Sequence, residues 1–187
     1  MKRIISLVFA LFLALSTLGF AAAEGVAFKT DYYTMTLPRG WEIDTDDTGV
    51  EEEDRELRQE YLGFCYDSRD VGLAFEAYLV FYKDSDLQAI QLWNANEAEK
   101  QAYADGILET FEDDEPVFLG FVMADRIPFI VIKATDEDGD YLYAETMSNG
   151  YALVFYAYVF DGEDLYPITD QYMEQFKSIL ETFTPVT

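Results

Sequence analysis

The stretch Asp140–Phe160, DYLYAETMSNGYALVFYAYVF, decides the fold. At its centre, Ser148-Asn149-Gly150 is hairpin chemistry, because asparagine and glycine accept the positive φ angles that a tight turn demands. Asp140–Met147 before it alternates as a strand, with Tyr141, Tyr143, Glu145 and Met147 on one face. Tyr151–Phe160 after it carries no charge, and Tyr156 and Tyr158 share a face. A strand so apolar belongs inside a sheet rather than at its rim. Working outward, Asp136-Glu137-Asp138-Gly139 is a second hairpin turn leading back to a strand over Phe129–Thr135. Ala124–Pro128 is a further turn, leading back to a strand over Pro116–Met123. These pieces predict a four-stranded antiparallel meander.

Helical spacing flanks the meander. Thr169 is placed to cap a helix whose Tyr172, Met173, Phe176, Ile179, Leu180 and Phe183 share one face. Upstream, Asp84-Ser85-Asp86 opens a helical segment with Leu87, Ile90 and Trp93 on one side, and Asn94-Ala95-Asn96 interrupts it. Asn96 and Glu99 then have capping-box spacing ahead of the stripe Tyr103, Ile107, Leu108 and Phe111. Before the helices, Tyr61–Tyr66 and Val71–Tyr82 read as a hairpin around Asp67-Ser68-Arg69-Asp70. Phe28–Leu37 reads as a single strand ending at Pro38-Arg39-Gly40. Between Glu42 and Glu60 the carboxylates are so dense that the stretch reads as a solvated loop, with a helical turn near Glu52–Gln59. Gly72–Ile90 and Gly150–Ile168 echo one another, each read as a strand running into a helix. The elements together predict an α+β fold: a central antiparallel sheet flanked by helices in an α/β/α sandwich, as one domain over residues 24–187.

The N-terminus, MKRIISLVFALFLALSTLGFAAA, has the basic start, apolar run and small-residue end of a secretory signal over residues 1–23. The protein is therefore expected outside the cytoplasm, with no membrane span once the signal is cleaved. A formal net charge of −25 repels nucleic acid and favours cations or basic partners. Disorder is the wrong reading of that charge, since half the residues are hydrophobic and 17% are aromatic. The chain has no histidine, which excludes imidazole-dependent catalysis and histidine-based zinc sites. The single cysteine, Cys65, lies in an apolar run and reads as a buried thiol.

The segment Tyr33-Thr-Met-Thr-Leu-Pro-Arg-Gly-Trp41 resembles the opening strand of PsbP-like domains, which ends in a Pro-x-Gly-Trp corner. The meander Gly120–Phe160 and the helix ending at Phe176–Phe183 are similar to the second half of that family. The resemblance implies a central antiparallel sheet with helices on its faces, within the family's uncharacterised bacterial secreted branch. It implies no activity, because the fold hosts a photosystem II extrinsic subunit and a nuclear-import factor alike.

Alternating carboxylates at Asp136, Asp138 and Asp140 beside Gly139 suggest a calcium ligand set. In an EF-hand register Asp136, Asp138 and Glu145 fall at ligand positions, but Ala134 stands where the first ligand belongs. An ordinary hairpin tip is the favoured reading. The run Asp44–Asp54 suits a basic partner or a loosely held cation, or simply a solvated face. No phosphate loop, dinucleotide fingerprint or cysteine cluster is present, so no cofactor is expected. The functional expectation is a secreted, non-enzymatic binding or accessory domain for an unknown protein or small ligand. The alternative is a carboxylate-based hydrolase acting on extracellular carbohydrate, which needs only two acids at a set separation.

Overall fold

The computed structural model describes residues 25–186, so the export signal expected over residues 1–23 lies outside the described residues. In chain order the elements are β1 (Val26–Lys29), β2 (Tyr33–Leu37), β3 (Trp41–Asp44), β4 (Gly49–Glu53), β5 (Leu57–Asp67) and β6 (Gly72–Tyr82). Next come α1 (Ser85–Gln88), α2 (Glu97–Thr110), β7 (Val117–Ala124), β8 (Ile127–Thr135), β9 (Asp140–Ser148) and β10 (Tyr151–Phe160). The chain closes with β11 (Leu165–Tyr166), α3 (Asp170–Leu180) and β12 (Thr184–Pro185). A nine-stranded antiparallel sheet runs in the order β3-β5-β6-β10-β9-β8-β7, with β4 also paired to β5 and β11 to β10. The apolar β10 is central, as its composition predicts, between β6 and β9. Asn149 (φ 55°) and Gly150 (φ 79°) both take positive φ in the turn that joins β9 to β10.

The flanked α/β/α sandwich is overturned. Half of the described residues are strand against 22% helix, so sheet packing rather than helical cover closes much of the core. One face of the large sheet meets a second, three-stranded sheet, β1-β2-β12, together with α3. The reason lies at Thr30. Its hydroxyl oxygen accepts the backbone N–H groups of Tyr32 and Tyr33, each at 3.1 Å, and folds the expected single strand Phe28–Leu37 back on itself. β1 and β2 therefore pair with each other, and buried Phe28, Tyr33, Met35 and Leu37 fill the layer that a helix was expected to fill. Phe155 packs at the centre of this core, its ring 5.9 Å from each of Tyr33, Phe75 and Phe129.

The acidic stretch also departs from expectation. Instead of a loop with a helical turn, it contributes β3, β4 and the first residues of β5. The side chains of β4 point into water, so charge does not prevent its pairing with β5. Glu51, Glu52 and Glu53 accordingly project from β4 into solvent. The far margin, β7, carries no charged residue, and Val117 and Met123 on it are exposed. The echo between Gly72–Ile90 and Gly150–Ile168 fails at its second half, because β10 leads into β11 and not into a helix.

The helix signals fare better. The Asn96–Glu99 capping box is formed in full at the start of α2. Thr169 holds the N-cap position of α3 in extended backbone, but its side chain makes no capping bond. On the second face of the large sheet, Tyr103, Ile107 and Leu108 of α2 and Phe111 at its C-cap pack with Ile130, Ile132 and Tyr143. That cover lies over β7–β9 and the Val80–Ala152 end of β6 and β10. Towards the Ala74–Tyr158 end, Phe64, Tyr66, Tyr158 and Phe160 stand partly exposed on this face.

Candidate ligand-binding face

Side chains alternate along a strand, so the register fixes what stands on this face, from its open part at β3 to the buried Val154, Tyr143 and Glu145. One cross-strand row reads Asp44, Phe64, Glu76, Tyr156 and Tyr143, from β3 to β9. The next row reads Glu42, Tyr66, Ala74 and Tyr158. A third brings Tyr61, Tyr78, Val154 and Glu145 into line. Tyr61 and Phe64 share a face only because β5 bulges between them. Gly63 makes the bulge possible: its φ is +141°, and a Cβ there would stand 3.0 Å from the Asp44 carbonyl oxygen.

The result is a continuous aromatic surface whose rings are all partly exposed. Phe64 lies nearly parallel to Tyr66 and Tyr158, at centroid distances of 5.3 and 6.2 Å, and Phe160 meets Phe64 edge-on at 5.8 Å. Tyr61 adjoins Tyr78 at 5.3 Å, and Tyr78 adjoins Tyr156 at 6.1 Å. Tyr141 continues the surface, 6.2 Å from Tyr156.

Carboxylates are set among these rings and held by phenols. Glu76, at the centre, accepts hydrogen bonds from Tyr78 at 2.6 Å and from Tyr158 at 3.3 Å. The Tyr66 hydroxyl donates to Glu42 at 2.7 Å, and the Tyr141 hydroxyl to Asp114 at 2.6 Å. Burial and the neighbouring negative charges of Glu76 and Asp44 push the Tyr61 phenol up to about 12. Burial, with the Glu76 carboxylate, also raises Tyr78 and Tyr158 well above the ordinary phenol value. These tyrosines therefore remain neutral donors at any ordinary pH. A groove of about 440 Å³ crosses the β9 side of the surface, lined in part by Glu76, Asp114, Tyr141, Tyr156 and Tyr158.

The acidic hairpin tip borders the same groove through Asp136, Asp138 and Asp140, and the carboxylates of Asp136 and Asp140 are already engaged. Asp136 accepts the backbone N–H groups of Asp138 and Gly139 at 2.8 and 3.0 Å. Asp140 pairs with Lys133 at 2.6 Å and accepts from the Thr135 hydroxyl at 2.8 Å. Burial pushes Asp140 up, yet Lys133, Thr135 and the Ile168 N–H together hold it below the usual carboxylate value. Among the described residues, no three acidic, cysteine or histidine side chains are arranged to hold a metal ion. Glu145, an EF-hand position by sequence spacing, lies far from that role. It is 1% exposed beneath α2 and receives hydrogen bonds from the Tyr103 and Tyr143 hydroxyls. Burial raises its pKa above the ordinary value in spite of both bonds.

Of the face residues singled out by sequence, Tyr141, Tyr156 and Tyr158 lie on the open surface, whereas Tyr143 and Met147 are buried under the helix. The contributions of β5 and β6 were missed. Their signal is the alternation Phe64–Tyr66 and Glu76–Tyr78, which becomes a site only once the register of three strands is known. No helix of the described residues is long and apolar enough to cross a membrane. No protein-family model matches this chain, and no curated protein matches it either.

Proposed function

We propose that this chain is an exported, non-enzymatic binding domain whose ligand lies on the open aromatic half of the large sheet. The observation that carries the reading is the contiguous set of partly exposed rings across β5, β6, β10 and β9, with carboxylates fixed between them by tyrosine hydroxyls. Aromatic rings offer large, rigid contact area at small entropic cost, and oriented polar groups between them supply direction. The export signal at residues 1–23 supports a site of action outside the cytoplasm.

The alternative, a carboxylate hydrolase, would draw on Glu76 and Asp114, which line the same groove. Glu145, whose proton affinity is raised as a general acid's must be, is sealed beneath α2. The test compares the native protein with Tyr66→Ala/Tyr156→Ala/Tyr158→Ala on an array of glycans, organic cations and peptides. Folding of the variant is verified by circular dichroism. Binding by the native protein that disappears in the variant is the expected result. Equal binding by both, or by neither, overturns the proposal. Turnover of any glycan that Glu76→Gln abolishes overturns its non-enzymatic part.

A further inference from the structure

Resting on that reading of the face, the charge pattern points to its occupant. We infer that the open aromatic surface receives an arginine-bearing polypeptide segment in extended conformation. By register, the open face of β3, β5, β6, β10 and β9 carries several carboxylates and no lysine or arginine. Among the described residues, no lysine or arginine pairs with Glu42, Glu76 or Asp114. Their hydrogen bonds come from neutral phenols, which orient the carboxylates without neutralising them.

A guanidinium fits both components of such a surface. Its flat face stacks on aromatic rings, and its fork of N–H donors matches a carboxylate. A compact ammonium matches the charge alone. The dimensions favour a chain over a single small cation. Five neighbouring strands span about 19 Å at roughly 4.8 Å per interval, the reach of about six extended residues. The carboxylates are spread across that width: Glu42 on β3, Glu76 on β6 and Asp114 beyond β9.

The test uses the full chain and a fluorescein-labelled Gly-Arg-Gly-Arg-Gly-Arg peptide, followed by fluorescence anisotropy. The same peptide with citrulline in place of arginine, which keeps shape and removes charge, is the second probe. Chitohexaose, by calorimetry, is the third. The expected result is saturable binding of the arginine peptide, weakened at least about tenfold by citrulline, with no heat from the glycan. Glu76→Gln should weaken the arginine peptide by about tenfold, whereas Glu181→Gln, which removes equal charge from an exposed position after α3, should leave it unchanged. Equal losses in the two variants would reveal unspecific attraction to an acidic protein and overturn the inference. Equal affinity for the citrulline peptide also overturns it. Binding of chitohexaose alone, lost in the triple tyrosine variant, overturns the arginine assignment and leaves the binding face standing. No binding of any probe overturns the inference, and the wider array then decides the binding face separately.

Discussion

Replacing Glu145 by glutamine isolates the consequence of sealing a carboxyl group beneath α2. The ordinary value for this group is 4.5, and burial raises it in the folded protein although Tyr103 and Tyr143 both donate to it. Below pH 4.5 the folded and unfolded chains both hold the proton. Above it, the unfolded chain releases the proton while the folded chain keeps it. The folded state then binds one proton more, and stability falls by about 1.4 kcal/mol per pH unit until the folded pKa is passed. The group's contribution is thus complete at low pH and is lost as pH rises. Glutamine has the same shape and does not titrate. The stability of Glu145→Gln minus that of the native protein should therefore climb with pH from 4.5 upward and level off above the folded pKa. The remaining acids titrate in both proteins and cancel in the difference. Urea unfolding at half-unit intervals from about pH 4 to about pH 8 measures it. A difference that stays flat across that range, or that falls with pH, refutes the reasoning.

The Tyr33 hydroxyl is buried with no hydrogen-bond partner in the structure, so Tyr33→Phe should raise stability by about 1 kcal/mol in urea titrations; a loss would show that the hydroxyl is satisfied in solution. Asn149→Ala keeps the hairpin length but places an alanine at φ 55°, and should cost about 1–2 kcal/mol by the same assay, with no loss speaking against this turn geometry. Burial pushes the Cys65 thiol well above its ordinary value, and the side chain is inaccessible. A thiol reagent should therefore leave the native protein unmodified for hours and react at once in denaturant, whereas prompt native labelling would contradict the buried β5 register.

What the sequence discloses here is what is local. The Asn149-Gly150 turn, the uncharged β10 and the Asn96–Glu99 box each announce themselves within a few residues, and each stands where the pattern puts it. The hairpin Asp31–Tyr32 between β1 and β2 does not, because a threonine side chain forms it without glycine or proline. β4, with the outward Glu42 and Asp44 of β3, escapes notice for a different reason: those side chains are dictated by water and not by the core, so they read as a loop. The binding face escapes because it is a property of register. Tyr61 and Phe64 stand three apart in sequence, a spacing that alternation assigns to opposite faces, and only the bulge at Gly63 brings them together. Tyr141, Tyr143, Glu145 and Met147 are legible as one face, but whether α2 covers it depends on contacts made from another part of the chain.

The unlike margins of the nine-stranded sheet limit how copies of this molecule can accumulate. Exposed backbone at a sheet margin is adhesive, and fibres lengthen by adding copies at two such margins in succession. Here only β7 is uncharged, while β4 at the other side presents three consecutive glutamates. Two molecules joined through β7 would each have only the glutamate-bearing margin of this sheet left for pairing. Along the nine-stranded sheet, growth by strand pairing beyond two copies is thus opposed by the charge on its second margin.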